Sequence, residues 1–327
     1  MKKVILLLVL IVSFSSCKDF KKGVEDGYNA AQENSESKKT EVKLYALDGG
    51  TVQVNKLEIF AQDDAFKGQS KTFADAFYII EHPKGRVLWD SGLAEGLVGQ
   101  EAFTTPNGAF TVSRKDSIVS QLKALNLTPK DFDYIALSHL HFDHTGSASK
   151  FAEATWLVQE KEYDFITSDE QKKGDNYPPI ATLTNVKKLN GDYDVFGDGT
   201  VVIKSMPGHT PGHQILYLNL ADAGSILLTG DLYHLQENRD NRGVPIFNFD
   251  VGQTLKSMDA FEALAKETNA KVYRFWNHFF SDSDLRETLI KFDFKDIAFH
   301  KNVVPSGDGY ESGDVTFCTS LVFSKGR

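Results

Sequence analysis

The chain has 327 residues, of which 41% are apolar and 25% charged, and a formal net charge of −9. Length and composition fit one large globular domain or two ordinary ones and exclude a disordered chain. The acidic balance argues against a phosphate-backbone ligand, so no nucleic-acid partner is expected.

The opening stretch MKKVILLLVLIVSFSSC sets two lysines before an apolar run, then small residues before Cys17. That is the pattern of a secretory signal with a short apolar core. A cysteine directly after Ser-Ser resembles the lipobox of bacterial lipoproteins, which implies cleavage before Cys17, a lipid on its thiol and a membrane anchor. Only Cys17 and Cys318 are present, and lipidation of the first leaves no disulfide. Residues 18–41 are polar and short of large apolar groups, too little to offset the entropy of ordering. The expected organisation is a signal peptide over 1–16, a lipid anchor and disordered tether over 17–41, and a folded domain over 42–327. The expected location is periplasmic or cell-surface.

From Val42 the runs VKLYAL and TVQVNKLEIF read as strands, and DAFYIIEHPKGRVLWDSG as a hairpin turning at Pro83-Lys84-Gly85. SRKDSIVSQLKALNL reads as a helix with a capping box at Ser113 and Asp116 and Ile118, Leu122 and Leu125 on one face. Thr128-Pro129-Lys130-Asp131 repeats the capping signal, and a buried strand runs from Asp133 to Ser138. Further strands are expected at 156–158, 200–205, 214–219 and 225–229, and helices at 159–166, 253–268 and 283–291. Strand runs broken by single helices suggest an α+β fold, sheets sandwiched between helices, not a regular βαβ repeat.

At the end of the 133–138 strand stands SHLHFDHTG, with three histidines and an aspartate from His139 to His144. His139, His141 and Asp143 alternate, so in an extended segment they share a face. A turn into a helix at Asp143 brings His144 back beside them. Imidazole and carboxylate donors in this mixture suit zinc, iron, cobalt or manganese. Other donors recur after strands: His209 in SMPGHTPGHQ, Asp231 in ILLTGDLYH and His278 in VYRFWNHFF. Loops after strands gather at one sheet edge, where sites commonly form.

HLHFDH, followed in order by His209, Asp231 and His278, resembles the H-x-H-x-D-H signature of the metallo-β-lactamase superfamily, and WDSG at 89–92 looks like its early aspartate-bearing strand end. The resemblance covers about residues 42 to 300. It implies a four-layer αβ/βα sandwich and two divalent metals, zinc foremost. His139, His141 and His209 would hold one metal, Asp143, His144 and His278 the other, and Asp231 would bridge them. It also implies a metal-bridging hydroxide as nucleophile.

Among the branches, YIALSHLHFDHTG, PGHTPGHQ and GDLYH look most like the acyl-homoserine lactone lactonases, which act on small lactones or esters. Where many of these carry a tyrosine three residues after the bridging aspartate, this chain has His234, with Tyr233 one earlier. His234 or Tyr233 is then expected to steady developing charge, and Asp143 to pass a proton to the leaving group. Phe103, Phe110, Phe142, Phe247, Phe249 and Trp276 are candidates for an apolar groove. The same fold leaves open organophosphate or aryl esters, β-lactams, or a non-catalytic metal-binding lipoprotein, and a homodimer is compatible with it. His213 is expected either to support a ligand or to be a structural loop histidine, Asp90 to be a supporting hydrogen-bond acceptor or a turn aspartate, and His82 and His300 to lie on the surface.

Overall fold

The structure, a computed structural model, describes residues 40–274, 297–299 and 321–323. Cys17, Trp276, His278, His300, Cys318 and the helix expected over 283–291 lie outside the described residues. Strands β1 (Lys43–Val54), β2 (Lys71–His82), β3 (Gly85–Trp89), β4 (Phe103–Thr104), β5 (Phe110–Ser113), β6 (Tyr134–Ala136), β7 (Thr155–Gln159) and β8 (Val186–Leu189) form one sheet. Its order is β4-β5-β1-β2-β3-β6-β7-β8, antiparallel as far as β3 and parallel from β3 to β8. A second sheet takes β9 (Tyr193–Asp194), β10 (Val201–Ser205), β11 (Gln214–Leu220), β12 (Gly224–Leu228) and β13 (Lys271–Tyr273) in the order β13-β12-β11-β10-β9.

Alternation along each strand builds four layers. Ala76, Tyr78, Ile80, Val87, Trp89, Ala136 and Leu157 of the first sheet share a core with Val201, Ile203, Leu216, Leu218, Ile226 and Leu228 of the second. The intervening residues face outward. Phe77, Ile79, Leu88, Ile135, Trp156 and Val158 pack on helix α1 (Ile118–Ala124) and on Ile166. On the far side Ile215 and Leu227 pack against Met258, Phe261 and Ala265. Period-2 strands with both faces apolar must be covered on both sides, and the helices cover them. The expected αβ/βα sandwich is present. The remaining α-helices among the described residues are α2 (Phe142–Thr145), α3 (Glu160–Ile166), α4 (Gln236–Asn241) and α5 (Val251–Thr268).

Several local expectations are corrected. The two strands expected at 42–47 and 51–60 are one, β1, bulged between Asp48 and Gly50, and LEIF is a 3-10 turn. Leu57 and Phe60 are three residues apart and both buried, the spacing that eclipses on a 3-10 helix. The cap of α1 is Ser117, whose Oγ accepts from Ser120 N–H at 3.0 Å, because Ser113 is taken up by β5 pairing. The capping box at Thr128 and Asp131 and the 83–85 turn are as expected. His82 is buried, stacked on Phe196 at 4.0 Å and bonded to Asp198 at 3.0 Å. A loop distant in sequence covers it, which no local pattern announces.

Candidate metal centre

Strand ends bring the donors together. β3 and β6 are parallel neighbours, so Asp90 and the 138–144 segment leave the same edge, tied by Asp90 N–H to Ala136 O at 3.0 Å. The chain turns into α2 at Phe142, and this brings the His144 ring back to 4.1 Å from the His139 ring. From the second sheet, the β10–β11 connection supplies His209 and the turn after β12 supplies Asp231.

Three ring nitrogens converge. His139 Nε2 lies 2.8 Å from His141 Nδ1, and His209 Nε2 lies 3.2 and 3.1 Å from those two atoms. Asp231 Oδ2 stands 3.6 Å from both His139 and His209. Its other oxygen, Oδ1, turns to a second group, 3.3 Å from His144 Nε2, which is itself 3.7 Å from Asp143 Oδ2. One carboxylate thus presents an oxygen to each of two donor clusters, His139–His141–His209 and Asp143–His144.

The two clusters differ in charge. Burial, reinforced by the neighbouring imidazoles, holds His139 and His209 well below the usual histidine range, and burial lowers His141 to about 4. These rings are neutral at pH 7 and offer lone pairs. Burial works against charge on His144, yet the carboxylates of Asp231, Asp90 and Asp143 raise its pKa well above the ordinary value. Burial alone would raise Asp231, but His234 and His144 keep it well below the carboxylate range.

A supporting layer sets each donor. His144 Nδ1 contacts Asp90 Oδ2 at 3.1 Å and Ser138 Oγ at 3.0 Å, and His139 Nδ1 reaches the same hydroxyl at 3.1 Å. Asp90 adopts φ +58°, and its Oδ1 accepts from Ser138 N–H at 2.7 Å. His213 donates from Nδ1 to Met206 O at 3.1 Å and accepts Asp231 N–H on Nε2 at 3.0 Å. That pair of roles fixes one neutral tautomer. Gly230 permits it: φ is +49°, and a Cβ there would fall 2.8 Å from His213 Nε2. Of the two readings open for each, His213 and Asp90 take the one that contacts the donors or their backbone. Ser138 was not singled out by sequence, although it directly precedes His139.

His234 and Tyr233 part company. His234 Nε2 lies 3.1 Å from Asp231 Oδ2, with its ring tilted on Phe60 at 4.6 Å. Tyr233 is buried on the α5 side, where its hydroxyl donates to Glu262 at 3.0 Å. His234 therefore faces the donor cluster, and Tyr233 faces α5. Phe247 stands 6.0 Å from the His209 ring and 6.3 Å from the His141 ring, and Phe142, Phe247, Phe249 and Phe103 are exposed.

The residues fit divalent cations. A tetrahedral shell with bonds of about 2.0–2.1 Å separates its donor atoms by about 3.3–3.4 Å. The spacings of 2.8 to 3.6 Å among His139, His141, His209 and Asp231 bracket that value. Buried Asp90, Asp143 and Asp231 crowd one imidazole, a surplus of negative charge that calls for a cation.

Comparison with known proteins agrees with this geometry. Residues 74–273 match the metallo-beta-lactamase superfamily. The chain is similar to the N-acyl homoserine lactonase AttM of Azorhizobium caulinodans, 31% identical over 249 residues, which cover 71% of this chain and 92% of that protein. It is also similar to the N-acyl homoserine lactonase AiiA of Bacillus thuringiensis subsp. kurstaki, 32% identical over 203 residues, covering 60% and 78% of the two chains. A solved N-acyl homoserine lactone hydrolase, with the product N-hexanoyl-L-homoserine at its catalytic metal centre, superposes with a TM-score of 0.64 at 26% identity, covering 76% of this chain and 96% of that one. On the strength of the matched domain and the layered fold, this chain belongs to the metallo-β-lactamase superfamily.

Proposed function

We propose that this chain is a two-metal hydrolase that opens the lactone ring of N-acyl homoserine lactones and so quenches quorum signals. The observation that carries the reading is Asp231, which turns one oxygen to each donor cluster. The relatives named above support the substrate class. His139, His141 and His209 would hold one cation, Asp143 and His144 the other, with Asp231 between them. His278, assigned to the second, lies outside the described residues. When bound, the cations would supply a water acidified toward neutral pH and Lewis-acid polarisation of the ester carbonyl.

The chain's own residues do the rest. His139, His141 and His209 are neutral at working pH and keep their lone pairs directed inward. Asp143 would take up the proton released as water attacks the carbonyl and pass it to the leaving alkoxide. His234 places an imidazole N–H beside Asp231 and steadies charge there. Phe247 brings apolar surface to 6.0 Å from the His209 ring and 6.3 Å from the His141 ring, which would help exclude water from the carbonyl.

A panel of lactones, phosphotriesters and β-lactams tests the assignment on metal-loaded protein. Lactones are expected to turn over fastest, and equal or slower lactone turnover sinks it. Export and lipidation at Cys17, supported by the stretch 1–17, and zinc as the resident metal, supported by the imidazole-rich donor set, belong to the same proposal. Lipid labelling of wild type and Cys17→Ala tests the first, and elemental analysis the second. Sedimentation shows whether two copies pair.

A further inference from the structure

One buried acid near the centre has no part in the chemistry above. Glu162 lies in the first turn of α3, with its neighbours Glu160 and Lys161 exposed, yet it is only 2% exposed. Its Oε2 accepts from Gly212 N–H at 2.7 Å. The Thr210 hydroxyl and the Leu140 N–H face the same carboxylate. Leu140 sits between His139 and His141. Thr210 follows His209, and Gly212 precedes His213. A single side chain therefore touches both loops that carry the three-imidazole cluster, one from each sheet.

The approach is built in. A Cβ on Gly212 would fall 2.6 Å from both Cβ and backbone N of Glu162, so only glycine lets the His209 loop seat on the start of α3. Among the described residues no cation faces the carboxylate: the groups that act on it are neutral donors, and burial raises it to about 7. A buried acid without a cationic partner is costly. An apolar residue of similar size would fill the space at less cost but would leave the Gly212 N–H unpaired. The gain from an acid here is directional: Oε2 accepts from Gly212 N–H at 2.7 Å, and the carboxylate faces the Leu140 N–H of the other segment.

We infer that Glu162 is a positioning residue that locks the His139–His141 segment to the His209 loop and so sets the spacing of the three-imidazole half of the metal centre. This rests on the reading of those histidines as metal ligands. Removing a group that orients ligands from behind commonly weakens metal affinity by about 10–100-fold.

The test uses the full chain loaded with cobalt(II) or zinc, in wild type, Glu162→Gln and Glu162→Ala. Chelator competition reads the affinity of each metal equivalent, and the cobalt absorption spectrum reads ligand geometry without reference to turnover. Glu162→Ala is expected to weaken one equivalent by about 10–100-fold, to shift the cobalt spectrum, and to lower kcat more than it raises KM. Glu162→Gln, whose amide oxygen can still accept from Gly212 N–H, is expected to recover most of the affinity. Affinity within twofold of wild type and an unchanged spectrum would overturn the inference. So would equal weakening of both equivalents, which would mark general loosening of the fold. If Glu162→Ala does not fold, the spectrum of Glu162→Gln decides, since its NH₂ group must displace one of the facing donors. A wild type that binds no metal would sink the metal reading and this inference with it. A wild type that binds metal but hydrolyses no lactone would sink only the substrate assignment.

Discussion

The two halves of the donor cluster are both built from imidazoles and carboxylates, yet they differ in charge. On one side three imidazoles face each other at 2.8 to 3.2 Å and stay neutral. On the other, one imidazole is surrounded by Asp90, Asp143 and Asp231 and is driven toward its charged form. Burial is common to both, so the neighbours decide. The first half offers lone pairs to a cation, and the second offers negative charge. Asp231 belongs to both, and a change there should remove the distinction.

The largest effect is accordingly expected from Asp231→Asn, which should lower kcat/KM by roughly 10³-fold or more and loosen both metal equivalents. Steady-state kinetics and metal analysis read this, and retention of two tight equivalents would contradict the shared role. Next, Asp90→Asn takes the charged acceptor from His144 Nδ1 and should weaken the second equivalent by about 10–100-fold while sparing the first. If both weaken together in stepwise chelation, the halves are not separable. His234→Phe removes the N–H beside Asp231 and should cost about 10-fold in kcat, whereas Tyr233→Phe loses only a hydrogen bond to Glu262 and should leave activity within twofold while costing about 1 kcal/mol of stability by denaturant unfolding.

The smallest effect is a pH linkage outside the donor set. Burial raises Glu162 to about 7 from 4.5, so between those values the folded state binds more protons than the unfolded one. Its stabilising contribution is complete below about pH 4.5 and is lost as pH rises through about 7. Wild type should therefore lose stability relative to Glu162→Gln across that window and run parallel to it above. Parallel curves throughout would show that Glu162 is not so perturbed.

Much of this was legible in the sequence because it is local. The alternation of His139, His141 and Asp143, and the turn that returns His144, need only chain geometry. Strands with apolar residues on both faces announce buried sheets, and the capping box at Thr128 announces its own turn. Failures came where distant segments decide. Ser113 looks like a helix cap until β5 pairs with β1, and His82 looks exposed until the loop carrying Phe196 and Asp198 covers it. Glu162 reads as one more surface acid in EKEYDF, because its partners at 140 and 210–212 come from other loops. The split between His234 and Tyr233 depends on which of two adjacent side chains turns inward past Asp231, and no periodicity fixes that.

The layered architecture places a seam through the donor cluster. His139 and His141 are anchored to one sheet, His209 and Asp231 to the other, and what keeps the sheets in register is the apolar filling between them, including Trp89, Leu157, Leu216 and Leu228. A slip of an ångström along that seam would part ligands while leaving every strand intact. Substitutions such as Leu216→Ala, in the apolar filling between the sheets, should therefore first appear as faster leakage of cation at temperatures where the chain is still folded.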